Sequence, residues 1–119
     1  MTEPADLAKL PGVIPYVDNH DGPRRLLTID IPHVRHAQIF APLASIDGRQ
    51  YVVSWGAVMF EIPADRNVHV SVHLHTNYAG RLGDTSTQFA SIVLAPHAAP
   101  VRLAAQFPAH GEGSLLPVG

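Results

Sequence analysis

Residues 46–56, Ile46-Asp47-Gly48-Arg49-Gln50-Tyr51-Val52-Val53-Ser54-Trp55-Gly56, and residues 68–75, Val68-His69-Val70-Ser71-Val72-His73-Leu74-His75, decide the fold. In the second run the valines and Leu74 alternate strictly with His69, Ser71, His73 and His75. A period of two is the mark of a strand with one buried face, so Val68, Val70, Val72 and Leu74 point inward and the three histidines and Ser71 point away. In the first run Asp47-Gly48 signals a tight hairpin, because a type I′ turn needs positive φ at both central positions. The return strand from Gln50 places Tyr51, Val53 and Trp55 on one face. Val58, Phe60 and Ile62 then resume on the other parity, which predicts a bulge or close packing at Gly56. Pro63 to Asn67 reads as a turn, with Pro63 fixing φ and Asp65 or Asn67 tolerating unusual backbone angles.

Working outward, Arg25 to Ile31 reads as a strand with Leu27, Ile29 and Ile31 on one face, interrupted by Pro32. Further strands are expected at 35–40, 43–46, 86–95 and 100–107, with a polar loop at 77–84. Residues 1–24 carry Pro11, Pro15 and Pro23 among turn signals and read as an irregular N-terminal segment. The β domain proper spans 25–110, and 111–119 reads as an extended, weakly ordered tail. About seven short strands at regular spacing predict an all-β, antiparallel sandwich.

Composition narrows the function classes. The 119 residues fit a single domain, and 46% hydrophobic against 15% charged residues is the balance of a folded chain. With net charge −2 and eight dispersed basic residues, no nucleic-acid footprint is present. The absence of cysteine removes disulfides, thiolate catalysis and Cys-based zinc sites. The N-terminus lacks the charge and apolar pattern of a signal peptide, and no stretch approaches the ~20 apolar residues of a membrane span. A soluble, cytoplasmic protein is the expectation.

Ile46-Asp47-Gly48, Trp55-Gly56, Ile62-Pro63-Ala64 and Val68-His69-Val70-Ser71-Val72 form an ordered series. It resembles small actinobacterial β-sandwich domains of unknown function, themselves similar to PEGA-type surface modules. Those domains pair an aspartate-glycine hairpin and a Trp-Gly strand with a Pro-Pro-Gly turn leading into a His-x-Val-x-Val strand. Pro96, the alternation at 101–107 and Gly113-Ser114-Leu115 extend the likeness over about residues 43–117. It departs at the turn, where Pro63-Ala64-Asp65-Arg66 stands in place of Pro-Pro-Gly. The resemblance implies an immunoglobulin-like sandwich and no active site.

The chemistry-bearing residues concentrate on the outward face His69, Ser71, His73 and His75, a candidate ligand or partner face. Same-face neighbours two apart lie about 7 Å from one another, so His73 and His75 could share a Zn²⁺ or Ni²⁺, with His69 farther along. A catalytic zinc needs a third protein ligand, which the sequence does not supply. Ser71 has no Gly-x-Ser-x-Gly elbow and no evident orienting carboxylate. Asp30 and Glu61 could pair if their strands are neighbours; otherwise both sit on solvent faces. Gly80 to Gly83 lacks the phosphate-loop pattern. The reading is a non-catalytic interaction module working through self-association or a protein partner, with no cofactor, catalytic residue or assigned metal ligand. Its alternatives are a small-ligand or metal-binding protein using the histidine face, and a cupin-like metalloenzyme.

Overall fold

The computed structural model describes residues 10–34, 41–77, 85–108 and 111–118. Nine strands and no helix occur among them. They are β1 (Val13–Ile14), β2 (Arg24–Ile31), β3 (Leu43–Ile46), β4 (Arg49–Val52), β5 (Gly56–Pro63), β6 (Val68–Asn77), β7 (Thr85–Leu94), β8 (Val101–Gln106) and β9 (Ser114–Pro117). The strand expected at 35–40 lies outside the described residues, as does the loop expected at 77–84 except Asn77, which ends β6.

Two sheets share one core. The first runs β1-β5-β2-β8-β9 and the second β4-β3-β6-β7. All pairings are antiparallel except β1 with β5 and β2 with β8. Leu27, Ile29, Ile31, Phe60, Ile62 and Leu103 from the first sheet meet Val68, Val70, Val72 and Leu74 from the second in a single apolar cluster. The alternation of β6 and β2 thus does what it predicted. Each inward side chain leaves water almost completely, a gain of roughly 1.5–3 kcal/mol for a Val, Leu, Ile or Phe.

Asp47 (φ 48°) and Gly48 (φ 87°) form the expected tight turn between β3 and β4. Asp47 does more than tolerate positive φ. Its Oδ1 accepts from the His69 amide at 2.9 Å, and its own amide donates to the His69 carbonyl at 2.8 Å. The hairpin is therefore tied to the first turn of β6.

Three expectations change. Gly56 (φ 94°) is no bulge: β4 ends at Val52, the chain crosses between sheets over residues 53–55, and β5 opens in the other sheet opposite Ile31. Crossing to the facing layer inverts which parity is inward, so the switch in alternation has a tertiary cause. Within the segment 111–118, Ser114–Pro117 pairs with β8 and buries Leu115 against Ala105. Tyr16 is not peripheral either. It is 7% exposed and belongs to the core cluster, while β1 pairs along the edge of β5.

Two polar side chains stand on the inward parity and close the ends of the core. Arg25 is buried in line with Leu27 and donates to the Ala95 carbonyl at 3.0 Å and the Ala99 carbonyl at 3.5 Å. Gln88 is buried in line with Ala90 and donates from Nε2 to the carbonyls of Pro108 and Gly111. Each holds a connecting loop over an open end of the apolar layer, satisfying loop carbonyls that would otherwise lose water without a partner.

Candidate functional site

The outward parity of β6 lies at the centre of the four-stranded sheet's outer face. Register fixes its neighbours. His73 lies between Leu43 of β3 and Phe89 of β7, and Leu43 is opposite Val52 of β4. Val52, Leu43, His73 and Phe89 therefore form a row across all four strands. The next row is Gln50, Ser45, Ser71 and Ser91, polar and uncharged, and beyond it His69 pairs with Val93.

The four candidate residues share a face as expected, but not one environment. His69 is exposed. Ser71, although on the outward parity, is only 2% exposed, and Ser45 beside it is also buried. Short side chains set between taller rows lose access to water, so alternation marks direction here and not exposure. Buried in this way, with serines on both sides, Ser71 has no histidine or carboxylate opposite it to act as a base. His73 is half-buried with its ring 4.6 Å from that of Phe89, and its Nε2 is buried with no hydrogen-bond partner among the described residues. His75 is half-buried opposite Thr87. His69 lies four residues from His73, about 13 Å along the strand, so the three imidazoles do not converge. Among the described residues no group of three or more His, Asp or Glu side chains could hold a metal ion.

Burial, with the neighbouring His75 second, holds the His73 imidazole below the usual histidine range. The folded protein thus keeps His73 neutral at pH values where the unfolded chain, with a histidine pKa of about 6.5, already binds a proton. Stability contributed by neutral His73 is complete above about pH 6.5 and is lost as pH falls from there through the lower folded-state value. The midpoint of thermal unfolding is expected to fall between pH 7 and pH 5, and His73→Gln should remove part of that fall. An identical pH dependence in the variant contradicts the assignment.

A second polar cluster, absent from the sequence reading, occupies one end of the molecule. Glu61 is 2% exposed on the outer parity of β5, where a solvent face was expected. Its Oε1 accepts from Arg24 Nη1 at 2.5 Å and from the Tyr16 amide at 3.1 Å. Arg24 also donates to the carbonyls of Tyr16 and His20. The Tyr16 hydroxyl donates to Asp47 Oδ2 at 2.9 Å and accepts from Arg66. Tyr16 therefore straps the edge of the first sheet to the hairpin of the second. Burial, and then the hydrogen bond to Asp47, raise the phenol above its ordinary range, so it stays protonated near neutral pH. A shallow cleft beside it is lined by Asp18, Asp47, Gly48, Arg49 and Gln50, and the Arg49–Asp18 ion pair closes on itself at 2.8 Å. Every charge in this cluster serves a neighbour.

Comparison with known families, characterised proteins and solved structures finds no match. The chain's own geometry therefore carries the functional argument.

Asp30 and Glu61 lie on adjacent strands but do not pair. Asp30 is opposite Ala57 and Glu61 opposite Leu26, and each carboxylate has its own arginine, Arg102 for Asp30 and Arg24 for Glu61. His33 follows β2 as an exposed residue with its ring against Trp55, while His36 lies outside the described residues. The sequence did hold one overlooked signal. A charged residue on an inward parity, as Arg25 is with Leu27 and Ile29, predicts a plug at the end of a layer.

Among the described residues the outer edge of β7 pairs with no strand; the Gly113 amide reaches it at one point, the Phe89 carbonyl. The strand is ten residues long, Thr-Ser-Thr-Gln-Phe-Ala-Ser-Ile-Val-Leu, with no charge and no proline. The other edges are short and blunted: β1 has two residues between Pro11 and Pro15, β4 has four beginning at Arg49, and β9 has four ending at Pro117. Pro32, Pro42 and Pro63 do not adjoin an edge strand; they lie next to β2, β3 and in β5, which are internal. No helix long and apolar enough to cross a membrane occurs among the described residues.

Proposed function

We propose that the protein is a non-catalytic interaction module that captures an extended segment of another polypeptide along β7. The observation that carries this reading is the ten-residue edge strand without charge, proline or shortening. Edge strands present unpaired N–H and C=O groups, and proteins ordinarily protect them with those devices. Pairing by strand addition uses those backbone groups for affinity and the alternate side chains for selectivity. The outer face of β7 itself supplies apolar contacts, since Val93 is 58% exposed and Phe89 38%. The immunoglobulin-like, PEGA-type reading of residues 43–117 accords with this role, supported by the two-layer plan and the Asp47-Gly48 hairpin.

A titration of ¹⁵N-labelled protein with a millimolar, unstructured decapeptide of alternating Val and Thr tests it. The expected result is a set of amide shifts centred on Ser91 and Val93. Shifts spread over the five-stranded sheet, or no shifts, overturn the reading.

A further inference from the structure

We infer that the segment captured by β7 is β7 of a second copy of this chain, paired antiparallel about a two-fold axis at Ile92; this rests on the docking role of the β7 edge. The contact that fixes the geometry is the Gly113 amide donating to the Phe89 carbonyl at 3.2 Å from outside the four-stranded sheet. In an antiparallel edge strand alternate residues direct both N–H and C=O away from the sheet. Phe89 is one of these, and so therefore are Thr87, Ser91 and Val93.

The outward row is closed on either side of Ser91 and Val93. Gly113 holds the Phe89 carbonyl, Arg25 holds the Ala95 carbonyl, and Pro96 has no N–H to give. Between these two closures Ser91 and Val93 offer two donors and two acceptors that no described residue takes. Three two-fold registers could use them. Placing Ser91 opposite the partner's Ser91 would require the Phe89 carbonyl, and placing Val93 opposite the partner's Val93 would require that of Ala95. Setting Ser91 opposite the partner's Val93 needs neither. The amides and carbonyls of Ser91 and Val93 on both copies then exchange four hydrogen bonds.

The side chains agree with that register. Ile92 is half-buried at the margin of the core and comes to lie against the partner's Ile92, with Ala90 opposite the partner's Leu94. On the outer face Val93 faces the partner's Ser91. An antiparallel self-pair is obliged to place a strand against its own sequence, and a strand with no charge meets no like charge when it does so. The result is one continuous sheet of eight strands.

The chain has no cysteine, so a single introduced thiol reports on one contact. Facing side chains of a non-hydrogen-bonded antiparallel pair have Cβ atoms about 4.5–5.5 Å apart, close to the reach of a disulfide. Ile92→Cys is expected to form a covalent dimer under mild oxidation at least tenfold faster than Thr87→Cys. Equal rates overturn the register. Sedimentation equilibrium of the unmodified chain from 1 to about 500 µM should show a monomer–dimer equilibrium. Ser91→Pro deletes only an outward N–H and spares the ladder to β6, and Val93→Lys places charges at the join. Each should weaken dimerisation at least tenfold with an unchanged unfolding midpoint at low concentration. A chain that stays monomeric but still responds to the Val/Thr peptide at Ser91 and Val93 overturns the second-copy inference alone. A monomer that ignores the peptide overturns the docking role with it.

Discussion

Replacing Glu61 with alanine is expected to destabilise the protein by about 3–5 kcal/mol, the cost of orphaning one member of a buried ion pair. Arg24 keeps only 17% of its side chain exposed and Glu61 1%, so neither charge can turn to water when its partner goes. The substitution also leaves the Tyr16 amide without its acceptor, which adds the penalty of an unsatisfied buried donor. The carbonyls of Tyr16 and His20 continue to bind the guanidinium, so the loss should stand nearer the lower figure. Urea unfolding should show a lower midpoint with an unchanged slope. The double replacement Arg24→Met/Glu61→Leu should recover most of the loss, since an apolar pair of similar volume carries no desolvation cost. A loss under ~1 kcal/mol for Glu61→Ala would mean that the pair is open to solvent.

Phe60→Ala is expected to cost about 3–5 kcal/mol through the cavity it leaves. Phe60 is 1% exposed, lies opposite Leu27, and meets the Tyr51 ring at 5.5 Å. Tyr51 belongs to the other sheet, so this ring contact is one of the places where the layers interlock. The gap cannot close by shifting β5, because β1 and β2 hold that strand from both sides. Domains of this size are stable by about 5–15 kcal/mol, so the variant loses a large fraction of its reserve. Calorimetry should place its unfolding midpoint lower by on the order of 15 °C. A drop of only two or three degrees would indicate a core loose enough to collapse around the vacancy.

Legibility in the sequence followed the range of the interaction. Valine alternation in β6 and the Asp47-Gly48 turn are local, and both read correctly because side-chain direction and turn geometry depend on adjacent residues. A bulge and a change of layer invert parity alike, so the alternation on its own does not distinguish the crossing at 53–55 from a bulge. β1 and β9, at two and four residues, are too short to show a period. The burial of Glu61 depends on Arg24 and Tyr16, which lie 37 and 45 positions away. The same holds for the site. That His69, Ser71, His73 and His75 share a face is local; that Phe89, Leu43 and Ser45 stand beside them is a matter of register. That β7 forms an edge is a matter of strand order, which no single stretch encodes.

The parallel pairing of β2 with β8 also bears on how the molecule is made. Ile29 pairs with Leu103, so the centre of the five-stranded sheet is incomplete until the chain has been extended by some seventy residues. At a synthesis rate of about 5–20 residues per second, β2 waits on the order of 4–15 seconds with one flank unpaired. Distant pairings of this kind also slow folding of the released chain toward the millisecond-to-second range. During that interval β5 can already cover the other flank of β2, but Leu27 and Ile29 lack Leu103. The nascent protein therefore passes through a stage in which a nearly finished sheet is open at its middle, when a chaperone would find the most to hold.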